Sequence, residues 1–269
     1  QQYHISIQAG LNGYAFAILD TNSQRYLAAR YHPFNKEINL YEMHEMFSGL
    51  LKSDTYLSRD YKSIYFASTD AKSTLIPNLY YDEDTLRDYA NLNFTPGDNE
   101  LLETDRIEKH GMVNLYALDG YYSTMLLNKF RDVKFFHPGT ALINSVLGYP
   151  YNKVNIKRVF AEIQEKKLIV AVTNANKLLF YNSFDYKTPE DLVYYLMNIY
   201  EQHQLSPERT PLLVSGKVEQ SSGLYDMLKR FFAAVKFRKL NNKYSYTREF
   251  NKQPEHWMIN LFNLYECGL

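Results

Sequence analysis

Cysteine is almost absent. Cys267 is the single one in 269 residues, so no internal disulfide can form and no cysteine pair can ligate a metal. A chain so poor in thiols is expected in a reducing, cytoplasmic compartment. Long apolar runs are also missing: none reaches the roughly 18 residues of a membrane-spanning helix, so no membrane insertion is expected. The opening Gln1-Gln2-Tyr3-His4 lacks a basic stretch followed by an apolar core, so no signal peptide is expected there. Neither charge is in excess, because 30 Lys and Arg balance 30 Asp and Glu. Proteins that neutralise phosphates usually carry a basic surplus, so nucleic acid is disfavoured as a partner. Glycine numbers only 11, and no GxxxxGK(S/T) loop, GxGxxG fingerprint or Gly-x-Ser-x-Gly elbow occurs. The seven histidines show no paired spacing of the kind that ligates a metal.

Aromatic residues, by contrast, are plentiful, with 25 tyrosines and 16 phenylalanines. Tyrosines come in pairs (Tyr80-Tyr81, Tyr121-Tyr122, Tyr194-Tyr195), as expected where one ring packs inward and its neighbour meets water. Most of them read as core and half-buried strand faces. A remainder could form an aromatic surface for a protein partner, since Tyr is enriched at interfaces.

The chain also carries one pattern twice. Strands are expected over 4–9, 14–20 and 24–32, then a helix over 40–52 and a strand over 63–67. The same series returns as strands over 156–164, 168–173 and 177–184, a helix over 188–203 and a strand over 212–215. The first helix is read from Leu40, Met43, Met46, Phe47, Leu50 and Leu51 at helical spacing. The second is read from Thr188-Pro189-Glu190-Asp191, a cap, a first-turn proline and two acids at the positive end of the helix dipole. Gly10-Leu11-Asn12-Gly13 and Glu165-Lys166-Lys167 read as hairpin turns. Ser73-Thr74-Leu75-Ile76-Pro77 follows the strand 63–67, and its proline ends any regular element there.

Residues 82–92 look helical, and strands over 101–107 and 112–118 suggest a hairpin inserted at about 98–118. A helix over 119–129, a strand over 133–136 and a helix over 139–147 complete the first unit. A helix over 221–233, a strand over 235–238, a polar loop over 241–253 and a helix over 254–265 complete the second. Gly148-Tyr149-Pro150 marks the boundary, giving domains 1–150 and 151–269, in line with a prior of about 150 residues per domain. Each unit reads β-β-β-α-β-α-β-α, the order of the ribonuclease H-like fold. The expected class is therefore α/β, with tandem ribonuclease H-like domains built on mixed five-stranded sheets flanked by helices. Such a duplication is the actin-like ATPase architecture, in which two domains face each other across a nucleotide-binding cleft.

Ile5-Ser6-Ile7-Gln8-Ala9-Gly10-Leu11-Asn12-Gly13-Tyr14 resembles the first phosphate-binding hairpin of actin-like ATPases. Gly10 stands where that family has glycine, Gln8 where it has an Mg-associated aspartate, and Leu11 where it has a hydroxyl residue. A neutral amide supplies no charge to hold a hard cation. The second phosphate hairpin corresponds to 162–167, which contains no glycine. The third element, a Gly-Gly strand end that precedes an adenosine-holding helix, corresponds to Leu213-Val214-Ser215-Gly216-Lys217, with one glycine of the pair. Ser73-Thr74-Leu75-Ile76-Pro77, His137-Pro138-Gly139-Thr140 and the stretch 214–225 make the chain similar, over nearly its full length, to an uncharacterised bacterial family of actin-like fold. It is more distantly similar to the actin-like proteins of type IV pilus and type II secretion assembly, which act largely through protein contacts.

The resemblance implies cofactor-binding positions at Gln8, Gly10, Asn12, Gly13, Glu162, Ser215, Gly216 and Lys217. Against each stands a plainer reading. Gly10, Asn12 and Gly13 suit a tight turn, and Ser215 to Lys217 suit a strand-to-helix turn with Lys217 in solvent. No catalytic residue and no metal ligand is assigned. His44, among Met43, Glu45 and Met46, reads as a satisfied core or boundary histidine. The expected function is that of a degenerate, non-catalytic pseudo-ATPase serving as a cytoplasmic adaptor or scaffold for a protein partner. ATP and Mg²⁺ are disfavoured, and the oligomeric state is left open.

One alternative is a nucleotide-binding enzyme resembling small-molecule kinases and using a non-standard interdomain cleft, for which Glu162 is the best carboxylate. Another is a nucleic-acid binder of ribonuclease H ancestry, with a basic face from Lys229, Arg230, Lys236, Arg238, Lys239 and Lys243. A ribonuclease H nuclease would need carboxylates converging on paired metals, and Gln8 removes the one expected on the first strand.

Overall fold

Apolar runs become central strands and the capped amphipathic segments become the helices over them. The structure, a computed structural model, describes residues 2–34, 38–148, 155–240, 242–247 and 254–269. The expected boundary residues 149 and 150, and the loop residues 241 and 248–253, lie outside the described residues.

In chain order the elements are β1 (Tyr3–Gly10), β2 (Gly13–Asp20), β3 (Arg25–Pro33), α1 (Leu40–Ser53), β4 (Ser63–Ser68), β5 (Ser73–Pro77), α2 (Leu86–Asn93), β6 (Glu100–Ile107), β7 (Met112–Asp119), α3 (Gly120–Lys129), β8 (Val133–Phe135) and α4 (Pro138–Leu147). They continue as β9 (Lys157–Ile163), β10 (Lys167–Asn174), β11 (Lys177–Asp185), α5 (Pro189–Gln202), β12 (Leu212–Gly216), α6 (Gly223–Phe231), β13 (Val235–Phe237), β14 (Ser245–Tyr246) and α7 (Ile259–Asn263).

The chain divides into two compact units. One comprises Gln1–Ala141, Lys243–Thr247 and Leu261–Leu269; the other comprises Leu142–Asn242 and Arg248–Asn260. The sheet of the first unit runs β14-β3-β2-β1-β4-β8, and that of the second runs β11-β10-β9-β12-β13. In each, the first three strands form an antiparallel meander and the next two join parallel to the first of them. The five-stranded mixed sheet is thus present twice. A bulge recurs at the same place, between Ile18 and Leu19 in one unit and between Val172 and Thr173 in the other.

The first sheet gains a sixth strand from the loop that the sequence leaves irregular. Ser245 and Tyr246 pair in parallel with Arg25 and Tyr26, and the Tyr246 ring stacks 5.5 Å from that of Tyr26. The inserted hairpin is also larger than expected. Ser73–Pro77 is a strand, and with β6 and β7 it makes a three-stranded sheet in the order β5-β7-β6. Proline is tolerated there because β5 is an edge strand. The stretch expected as one helix over 254–265 is a short 3-10 turn, then α7, then a second 3-10 turn.

Local chemistry explains the helix starts. Asn39 and Glu42 form a capping box at α1, and Thr188 and Asp191 form one at α5. The first core gathers Ile5, Ile7, Phe16, Phe47, Phe66 and Tyr122. The second gathers Val159, Ala161, Val170, Leu192, Leu196 and Val214. The paired tyrosines divide as expected, with Tyr122 2% exposed beside Tyr121 at 37%.

Candidate functional site

In an open α/β sheet, ligands sit beyond the carboxyl ends of parallel strands. In the first unit those ends belong to β1 and β4, which bring the turn after Gly10 beside Thr69 and Asp70. The Asp70 carboxylate accepts the Leu11 N–H at 2.7 Å, and the Thr69 N–H donates to the Ala9 carbonyl at 2.9 Å. A Cβ built on Gly10 would lie 2.0 Å from the Thr69 hydroxyl oxygen and 2.6 Å from Asp70 Oδ2. A side chain at this position would have to displace the Thr69 hydroxyl and the Asp70 carboxylate. Asn12 is held through its carbonyl, which accepts the Tyr31 hydroxyl and the Phe34 N–H, both at 3.1 Å. Gly13 pairs with Pro33 of β3. Gln8 is half-buried on β1 between Ala15 and Ala67. The turn thus presents a carboxylate where a phosphate would need free donors.

In the second unit the matching strand ends are β9 and β12. Glu162 lies opposite Ser215, as Gln8 lies opposite Ala67 in the first. Glu162 is 4% exposed, and the Ser215 hydroxyl donates to its carboxylate. Arg238 Nη1 stands 4.0 Å from Glu162 Oε2 and donates to Ser215 Oγ at 3.2 Å, while Nη2 donates to Ser145 Oγ at 2.6 Å. Burial pushes the Glu162 carboxyl up to about 7, against the opposing pull of Arg238 and Ser215. This buried group ties β9, β12 and α4 to the end of β13. The carboxylate that seemed best placed for Mg²⁺ is therefore sealed against an arginine.

Gly216 has φ +86°, and a Cβ there would lie 2.1 Å from the Ile163 carbonyl oxygen. The next amide, that of Lys217, donates to this same carbonyl at 2.6 Å. The Lys217 side chain is not free in solvent: its ammonium lies 3.7 Å from Glu165 Oε2 across the hairpin. Burial lowers its pKa and Glu165 opposes the shift. Glu162, Ser215, Gly216 and Lys217 are thus gathered at one pair of strand ends, and Gln8, Gly10, Asn12 and Gly13 around the other hairpin. Among the described residues no group of three or more His, Cys, Asp or Glu is placed to hold a metal ion.

Two arrangements escaped the sequence reading. Asp70 bonds a turn 59 residues earlier, a contact that carries no local signal. Asp105 on β6 is buried and accepts the His137 N–H at 2.8 Å and the Thr140 hydroxyl at 2.6 Å at the start of α4. The stretch His137-Pro138-Gly139-Thr140 hints at it, but its acid partner lies 35 residues away. His44 donates from Nε2 to Asp119 at 2.7 Å and stacks on Tyr121 at 4.1 Å, so it is the satisfied boundary histidine expected. Of the six basic residues read as one face, Lys229, Arg230, Lys236 and Lys239 are exposed and two are engaged elsewhere. Arg238 is 3% exposed, and Lys243 pairs with Glu266 at 3.0 Å.

Comparison with solved structures places this geometry in the actin-like ATPase fold. A Bacteroides thetaiotaomicron protein with an actin-like ATPase fold and unknown function superposes with a TM-score of 0.76 at 22% identity, covering 88% of this chain and 91% of the other. A chain of the PilM–PilN type IV pilus biogenesis complex gives a TM-score of 0.63 at 10% identity, covering 98% and 96%. The ethanolamine utilization protein EutJ from Carboxydothermus hydrogenoformans gives 0.53 at 9% identity, covering 98% and 89%. At these identities the likeness shows the fold alone. No curated protein matches the chain. No helix among the described residues is long and apolar enough to cross a membrane. Residues 1–235 match the family model described as "Protein of unknown function (DUF3822)", and the chain belongs to that family.

Proposed function

We propose that this protein is a degenerate, non-catalytic member of the actin-like superfamily, working in the cytoplasm as an adaptor or scaffold for a protein partner. The observation that carries this reading is the Asp70 carboxylate bonded to the Leu11 N–H at 2.7 Å. A phosphate needs free backbone donors and a cation, and here the donor is taken by an anion of the chain itself. The second unit supports the same reading, with Lys217 paired to Glu165 and Glu162 closed in by Ser215 and Arg238. Protein binding is supported by analogy of fold, since one neighbour is part of a pilus biogenesis complex.

The test is a thermal shift with Mg-ATP and with Mg-ADP. A ligand at 100 times its dissociation constant stabilises the native state by about 2.7 kcal/mol. In a chain of this size that is a rise of several degrees, at roughly 2–4 °C per kcal/mol. The expected result is no shift at millimolar nucleotide. A clear rise with either nucleotide would overturn the proposal and favour a nucleotide-dependent enzyme.

A further inference from the structure

The outward face of α5 carries exposed apolar and acidic side chains, of which Glu190 also serves the helix start. Its inward face packs Leu192, Val193, Leu196, Ile199 and Tyr200 into the second core. The opposite side carries Glu190, Tyr194, Met197, Asn198 and Glu201 at helical spacing. Tyr194 is 64% exposed. Beside it lies a cavity of about 420 Å³ whose lining includes Tyr194, Met197, Tyr200, Glu201, Leu205 and Pro207. Tyr and Met are enriched where proteins meet partners, and Met adapts its shape to what it holds.

Charge sets the kind of occupant. The 14 residues of α5 include Glu190, Asp191 and Glu201 and no Lys or Arg. Asp191 is used in the capping box, whereas Glu190 and Glu201 are exposed at the two ends of the stripe. Lys157, at the C-terminal end of the helix, donates to the His203 carbonyl at 3.2 Å. Eleven positions at 1.5 Å rise put Glu190 and Glu201 about 16 Å apart along the axis. An extended segment of about five residues spans that length.

Resting on the adaptor reading, we propose that this face docks a partner segment with an aliphatic or aromatic anchor flanked by Lys or Arg. The anchor fills the cavity between Tyr194, Met197 and Leu205, and the flanking cations meet Glu190 and Glu201. The inward face of α5 remains buried throughout, so docking needs no rearrangement of the core.

The experiment uses a short fluorescent peptide of Leu and Lys, with a Leu and Glu peptide of equal length as control. Anisotropy reads the affinity, and hydrogen exchange reads where the peptide protects the full chain. The expected result is protection over 194–207, with affinity lowered about tenfold or more by Tyr194→Ala and by Glu201→Lys at unchanged melting temperature. Protection elsewhere, equal binding of the acidic peptide, or indifference to both substitutions would overturn the proposal. So would a dimer that Tyr194→Ala dissociates, which would assign the face to a second copy. The nucleotide thermal shift reads a different part of the molecule, so failure of the adaptor reading and failure of this docking site are told apart.

Discussion

The Asp70 carboxylate accepts the Leu11 N–H at 2.7 Å, so the hairpin of the first unit already holds an anion of its own. Asp70 comes from the segment after β4, which also fills the space that a Cβ on Gly10 would need. This charge-assisted bond joins turn and strand end beside the backbone bond from the Thr69 N–H to the Ala9 carbonyl. Asp70→Ala is expected to destabilise the fold by about 1 kcal/mol, the bond being exposed. Urea unfolding of the variant measures this. An unchanged midpoint would mean that water replaces the carboxylate without cost.

Gly216 should tolerate no side chain. Its φ of +86° disfavours any L-residue, and the Ile163 carbonyl stands where a Cβ would go. Gly216→Ala is expected to cost on the order of 2–4 kcal/mol. If chemical denaturation finds the variant as stable as the parent, the close packing of β12 on β9 is relaxed in solution.

Glu162 and Arg238 form a buried pair whose members depend on each other. Removing one partner of such a pair typically costs about 3–5 kcal/mol, because the other charge is left desolvated. Glu162→Ala should therefore be severely destabilised. Glu162→Gln, which retains an acceptor for Ser215, should lose less. Were the carboxylate a metal ligand, both variants would lose Mg²⁺ binding at little cost in stability. Calorimetry of the two proteins separates these outcomes.

Asp105 makes stability depend on pH. Burial pushes its carboxyl up to about 7, against the hydrogen bonds from His137, Thr140 and Tyr116. In the unfolded chain the group titrates near the ordinary carboxylate value of about 3.9. Between these two values the native state keeps a proton that the unfolded chain has released. Its contribution is thus complete below about pH 4 and is lost as the pH rises toward 7. Relative to Asp105→Asn, the parent should lose up to about 1.4 kcal/mol per pH unit across that window. Parallel stability curves for the two proteins would remove Asp105 from the account. His4, which burial lowers to about 3, works in the opposite sense, so the comparison with the variant isolates Asp105.

Thr188 tests the helix that carries the proposed docking face. Its hydroxyl accepts the Asp191 N–H at 3.2 Å, and Asp191 returns a bond to the Thr188 N–H at 3.0 Å. Thr188→Ala should cost about 1 kcal/mol. The loss should appear as faster hydrogen exchange over the first turn of α5. Equal exchange in both proteins would mean that the core side of the helix holds its end unaided.

Much of the fold was legible because its causes are local. The Thr188-Pro189 start, the Gly10 to Gly13 turn and the apolar run of β2 act within a few residues, and their repetition announced the duplicated order of elements. The starts of α1, α3, α4, α5 and α6 fell within two residues of expectation for the same reason, whereas α2 begins at Leu86 rather than 82 and α7 at Ile259 rather than 254. Where causes are distant the reading failed. Ser245 and Tyr246 have no strand signal of their own and become β14 because Arg25 and Tyr26 offer an open edge. Ser73–Pro77 becomes a strand because β7 arrives from later in the chain to pair with it.

The candidate site divides along the same line. The sequence by itself determined which residue types occupy the strand ends: a neutral Gln8 on β1, a glycine at Gly216, and no glycine between β9 and β10. Those types are covalent facts: a neutral amide at Gln8 brings no charge to a hard cation. Only the tertiary structure decided what the charged groups near them do. Asp70 bonds a turn amide, Lys217 meets Glu165, and Glu162 is closed in by Ser215 and Arg238. Each depends on strands far apart in the chain becoming neighbours, and on burial that changes what a carboxylate or an ammonium is worth.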